Sequence, residues 1–143
     1  MAGRTWLGVD FGTVRIGLAI SDPEGRLAFP LTTYTRRGRC QDREFLCKLI
    51  EHERIDQIVV GLPIHLSGEE GTKAAEARAF GGWVGEISGL PITFWDERFT
   101  TAEAESLLLD AGLTNKRRKS RRDRVAAQIL LQSFLDAGCP KEP

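Results

Sequence analysis

The eight residues Ile55 to Leu62 (IDQIVVGL) form a short, nearly all-apolar run that stops at Pro63. A run without polar alternation offers no side to solvent, so it reads as a strand buried on both faces. Such a strand belongs inside a sheet covered by helices, with crossovers joining its parallel neighbours. Pro91 to Trp95 (PITFW) reads the same way. Upstream, Thr5 to Asp10 (TWLGVD) and Arg15 to Ser21 (RIGLAIS) are β-like, and the FGTV between them reads as a hairpin turn. Leu27 to Tyr34 supplies a third strand of an antiparallel meander. Asp42 to Glu53 places Phe45, Leu46, Leu49 and Ile50 at helical spacing. Thr72 to Ile87 does so with Ala77, Phe80, Val84 and Ile87, although Gly81, Gly82 and Gly85 each weaken it by roughly 1 kcal/mol. Thr101 to Ala111, closed by Gly112, and Ser120 to Ala137, ended by Gly138 and Pro140, are two further helices. The order β-β-β-α-β-α-β-α-α predicts an α/β domain: a mixed five-stranded sheet, an antiparallel meander plus parallel strands, flanked by helices. One such domain accounts for residues 1–138, leaving 139–143 as a tail.

Composition narrows the class. With 41% apolar residues a core can form, and no apolar run reaches the roughly 20 residues of a membrane span. Cys40, Cys47 and Cys139 are odd in number and include no C-x-x-C pair, which suits reduced thiols better than a disulfide framework or a zinc site. No secretory leader is evident, so the expectation is a cytoplasmic protein. The formal net charge is zero, but Lys116 to Arg124 holds seven basic residues and one acid. The rest of the chain keeps thirteen basic and nineteen acidic residues, a net of −6. That asymmetry points to a polyanion met by one local surface.

In a sheet of this kind, sites form at the carboxyl ends of the central parallel strands. Asp10 closes the first strand, and Asp96 and Glu97 follow the strand ending at Trp95, so the two places share a rim if the strands run parallel. Asp22 ends an antiparallel neighbour and falls at the opposite rim. Asp123 is in phase with Ala126, Ala127, Leu130, Leu131 and Phe134, the apolar stripe of the last helix. A carboxylate aimed at a sheet is costly without compensation. The simpler alternative is a capping box with Ser120 as N-cap and Asp123 bonding back to it. Three converging carboxylates would repel until one took up a proton. One or two Mg²⁺ or Mn²⁺ ions would remove the repulsion and favour hydrolysis of a phosphodiester.

Four segments resemble the YqgF/RuvX family: GVDFGTVRIGLAISD (8–22), IVVGLP (58–63), WDERFTTAEAESLLLDAG (95–112) and DRVAAQILLQSFLD (123–136). The family comprises bacterial nucleases of the ribonuclease-H-like superfamily, assigned to pre-16S rRNA processing and likened to Holliday-junction resolvases. The segments occur in the family's order and span nearly the whole chain. The resemblance implies a ribonuclease-H-like fold and metal-binding, catalytic roles for Asp10, Glu97 and Asp123, and it selects Glu97 over Asp96. It makes Arg98 a phosphate contact and precursor rRNA the favoured substrate, while Thr101, with Thr100, reads as a helix cap. The loop after GLP departs from the family's Asn and Asp, reading Ile64-His65-Leu66-Ser67-Gly68, which leaves His65 as a candidate substrate contact or a solvated loop histidine.

Lys116, Arg117, Arg118, Lys119, Arg121 and Arg122 would set positive charge beside Asp123, for contact with nucleic-acid phosphates. No aromatics interleave with this run, so a structured or duplex-containing substrate is expected over a bare single strand. Three other readings compete. The D-F-G-T start is similar to the phosphate hairpin of actin-like ATPases and sugar kinases, but those need two lobes. A Holliday-junction resolvase acting on branched DNA needs paired active sites, hence a dimer rather than a monomer. A catalytically silent nucleic-acid-binding module would not need three mutually repelling acids.

Overall fold

The computed structural model describes residues 4–65, 67–97 and 115–140, with residues 115–122 described by their backbone. Five strands, β1 (Trp6–Asp10), β2 (Arg15–Ser21), β3 (Ala28–Thr35), β4 (Gln57–Leu62) and β5 (Ile92–Asp96), form one sheet in the order β3-β2-β1-β4-β5. The first three pair antiparallel; β4 pairs parallel with both β1 and β5. The all-apolar run thus takes the interior position its sequence demands, and Ile58, Val59 and Val60 are wholly buried.

Helices α1 (Arg39–His52), α2 (Thr72–Ser88) and α3 (Asn115–Asp136) cover the sheet. Strand alternation divides the core in two. Leu7, Val9, Ile58 and Val60 face α1 and α2, packing with Leu46, Ala77, Phe80 and Val84. Trp6, Ala19 and Val59 face α3, packing with Ala127, Leu131 and Phe134. The Phe134 ring meets Trp6 and Trp95 edge-on at 4.8 and 5.7 Å. Cys40, Cys47 and Cys139 are free thiols. Among the described residues no helix is long and apolar enough to cross a membrane.

Several boundaries differ from the sequence expectation. The final helix begins at Asn115 rather than Ser120, since the Lys and Arg residues that follow are good helix formers. Ser120 therefore lies inside the helix and cannot be its N-cap, which removes the capping-box explanation of Asp123. Strand β4 starts at Gln57, not Ile55, because Arg54 takes a positive φ of 53° and the Ile55 amide donates to Ile50 O, closing α1. The expected helix at 101–111 lies outside the described residues. Asp22 sits at the rim opposite the β1 end, where its Oδ1 accepts the Arg26 and Leu27 amides and organises a turn.

One buried acid is structural. Asp42, in the first turn of α1, is fully buried and accepts hydrogen bonds from Tyr34 Oη (2.7 Å), the Arg37 amide (2.9 Å) and Arg36 Nε (3.2 Å). Burial pushes its pKa up, but the hydrogen bonds from Arg37, Tyr34 and Arg36 outweigh burial and hold it below the usual carboxylate range. A depressed folded pKa stabilises the protein above the unfolded value near 4, and that contribution is lost as the pH falls through the folded pKa. Asp42→Ala strands three donors and is expected to cost about 2–4 kcal/mol at pH 7, shrinking in acid. Urea unfolding at pH 7 and pH 3 checks this; equal losses at both would show that the charge is irrelevant.

Candidate active site

The carboxyl ends of β1, β4 and β5 share one rim, because the three strands run parallel. Alternation then sets which face each terminal residue meets. Trp6 and Gly8 face α3, so Asp10 ends β1 on that side; Val59 and Trp95 do likewise for Gly61 and Glu97. Gly61 leaves room for the acid beside it, since a Cβ there would strike Glu97 Oε1 and Cγ. Gly17, the register partner of Asp10 on β2, does the same for the helix: a Cβ there would overlap the Asp123 carbonyl. The backbone of α3 therefore lies against the strand directly across from Asp10, and at Gly8 a Cβ would come within 2.8 Å of Leu131 Cβ.

Asp10 and Glu97 are hydrogen-bonded through their side chains, so one of the two carries a proton. Burial raises both pKa values; at Asp10 the Glu97 charge and hydrogen bond add to it, followed by the charge of Asp123, whereas at Glu97 the Asp10 hydrogen bond works against burial and the charge of Asp96 adds to it. Asp123 is held differently. Its Oδ2 accepts Arg15 Nε at 2.8 Å, with the side chains 21% and 35% exposed, so the acid faces the sheet and not bulk water. Arg15 is the contributor that sequence reasoning missed. Its signal was parity: two residues before Gly17 on the same strand, it points to the same face.

The three predicted acids thus gather at one corner without meeting at a point. Among the described residues no three Asp, Glu, His or Cys side chains stand close enough to hold one metal ion. The donors nevertheless suit a hard cation. They are carboxylate oxygens, two of them share a proton for want of positive charge, and the third has borrowed a guanidinium. Glu97 also lines a cavity of about 330 Å³ with Phe11, Gly12, Thr13, Pro63, Lys73 and Glu76. The His65 ring rests against Gly71 at the start of α2. Arg98 lies outside the described residues, as do the side chains of Lys116, Arg117, Arg118, Lys119, Arg121 and Arg122.

The raised pKa of Asp10 has a thermodynamic consequence. Above the unfolded value near 4, ionisation favours the unfolded chain, so stability falls as pH rises until folded Asp10 has ionised. Asp10→Asn is expected to stabilise the cation-free protein by about 1–2 kcal/mol at pH 7, with the advantage vanishing near pH 4. Urea titrations of both proteins with chelator decide it, and a less stable Asn variant at pH 7 would contradict the shared-proton arrangement. Gly17→Ala is expected to force α3 away from β2 and cost about 1–3 kcal/mol. A thermal melt matching that of the unsubstituted protein would show that the close approach is not required.

Comparison with known proteins extends this geometry. The family model described as "RuvX: Holliday junction resolvase" matches residues 4–137. A relative from Rhodopirellula baltica is 47% identical over 90% of this chain and 75% of its own length; one from Koribacter versatilis is 43% identical over 91% and 85%. Both carry the name "Putative pre-16S rRNA nuclease". Among solved structures, Thermus thermophilus RuvC in complex with a Holliday junction substrate aligns with a TM-score of 0.62 at 14% identity, covering 98% of this chain and 99% of that one. The fowlpox virus resolvase bound to Holliday junction DNA aligns at 0.58 and 8% identity, covering 95% and 99%. At such identities the likeness concerns the fold alone, which is the ribonuclease-H-like sheet of the resolvases. With nearly its whole length matched and its carboxylates at the rim where that sheet places a site, this chain belongs to the RuvX family.

Proposed function

We propose that the chain is a divalent-metal-dependent nuclease that hydrolyses phosphodiester bonds of RNA, acting in the cytoplasm on the ends of precursor 16S rRNA. The observation that carries the reading is the contact of Asp10 with Glu97 at the carboxyl rim, with Asp123 set across Gly17. Buried, hydrogen-bonded carboxyls whose pKa values burial pushes up are an arrangement characteristic of functional sites. The names of the relatives support precursor rRNA as the substrate.

Asp10, Glu97 and Asp123 are the residues that would hold Mg²⁺ or Mn²⁺. When bound, the ion supplies Lewis acidity at the phosphate and lowers the pKa of water. The chain's own groups do the rest. Arg15 neutralises Asp123 and fixes its direction. Lys73, on the cavity wall facing Glu97, offers an ammonium to a phosphate. Arg98 and the basic residues Lys116, Arg117, Arg118, Lys119, Arg121 and Arg122 extend that contact along the substrate backbone.

The family description favours a second reading, resolution of branched DNA, which two copies of the chain would carry out together. One experiment separates the two. Wild type, Asp10→Asn, Glu97→Gln and Asp123→Asn are incubated with precursor 16S rRNA and with four-way DNA junctions, with and without Mn²⁺. Each variant is expected to lose at least about 100-fold in cleavage, and Mn²⁺ is expected to raise the melting temperature of the wild type more than that of Asp10→Asn. Cleavage by Asp10→Asn at the wild-type rate would remove the proposed mechanism. Cutting of junctions alone would establish the DNA reading.

A further inference from the structure

Beside the cavity at Glu97 lies a second one, of about 420 Å³, lined by Phe11, Thr13, Arg36, Arg39, Glu76, Ala79, Phe80 and Trp83. The two share Phe11, Thr13 and Glu76, so they adjoin as one groove with Glu97 in its first part. The chemistry changes along it. The first cavity carries Glu97 and Lys73, whereas the second has a row of rings: Phe11 to Phe80 at 4.8 Å between centroids and Phe80 to Trp83 at 5.8 Å. Two guanidinium groups lie over the row. Arg36 is 5.5 Å from both Phe11 and Phe80, and Arg39 is 5.8 Å from Trp83.

We propose that this second cavity binds one unpaired nucleotide of the substrate strand, base against the Phe11 and Trp83 rings and phosphate on Arg39, next to the bond presented to Asp10 and Glu97. The proposal rests on the nuclease reading and adds a substrate class to it: a strand that is single where it enters the site.

Several observations lead there. Phe11 and Trp83 are partly exposed rings beside guanidinium groups, while Phe80, in contact with both, is buried; single-stranded nucleic acid stacks on such exposed rings because every base has a π-face. Arg36 is fixed by its bond to Asp42 at 3.2 Å, so it serves as a rigid part of the wall. Arg39 is exposed and, among the described residues, no carboxylate pairs with it, so its charge is available to a phosphate. Glu76, at the junction of the cavities, repels a phosphate there and leaves the arginine side as its seat. The volume suits one small ligand and excludes a duplex, whose bases are stacked and paired away from any wall. Phe11 lines both cavities, so a base on that ring adjoins the cavity that holds Glu97.

The test measures binding apart from cleavage. Asp10→Asn protein, alone and combined with Arg39→Gln or Trp83→Leu, is titrated against two fluorescent RNAs in the presence of chelator: a blunt duplex, and the same duplex with a four-nucleotide single-stranded end. The chain with pocket intact is expected to prefer the overhang by about tenfold, as one stacked base provides, and each added substitution is expected to bring that ratio close to one. Arg39 is exposed, so Arg39→Gln reads the pocket even if Trp83→Leu disturbs packing. Equal affinity for both RNAs in the pocket-intact protein would overturn the proposal, as would a preference that survives Arg39→Gln. Cleavage of the same RNAs by wild type with Mn²⁺, run alongside, keeps the two readings apart. Cleavage without overhang preference removes the pocket alone, and no cleavage of any RNA removes the nuclease reading with it.

Discussion

The close approach of one helix to one sheet governs the structure. Gly8 and Gly17 lack the side chains that would hold α3 at an ordinary distance, and Ala19 and Ala127 are wholly buried between the two layers. The helix backbone therefore presses on β1 and β2, and Phe134 seats between Trp6 and Trp95. What this gains in burial it also gains in placement. An acid on the sheet-facing side of the same helix is brought to the strand beside Asp10, and the packing that stabilises the fold positions the chemistry.

Charge at that corner is balanced locally. Asp10 and Glu97 lower their mutual repulsion by sharing a proton, and Asp123 takes a guanidinium from Arg15. The two solutions differ in kind. A shared proton has to leave before both carboxylates can serve as anions, whereas the Arg15 guanidinium releases Asp123 only by moving away. Under the proposed function, a cation at this corner would compete with that proton and with Arg15 for Asp123.

The legible parts of the sequence were those governed by one element at a time. The uninterrupted apolar run of β4 announced an interior strand, the ends of β1 and β5 pointed to Asp10 and to Asp96 or Glu97, between which the family resemblance chose, and helical phase announced that Asp123 faces inward. Features that join two elements were not legible. Arg15 reads as the polar start of a strand until α3 is known to dock on that face. Asp42 looks like an ordinary first-turn acid, yet Tyr34, Arg36 and Arg37 from the end of β3 bury and satisfy it. The Ser120 cap failed because the basic residues before it propagate the helix, which spacing alone does not reveal. The aromatics absent from the basic run are gathered instead from the β1–β2 turn and from α2, 69 and more residues apart for Phe11 and Phe80.

The Arg15–Asp123 pair spans 108 positions of the polypeptide. Residues from its opening hairpin, its middle and its final helix must all be in place before the acidic corner exists. While the last helix is still within the ribosome, Trp6, Ala19 and Val59 have no cover and Asp10 lacks its third neighbour. Core completion and site completion are consequently one event, and the acidic corner exists only in a chain whose final helix has docked.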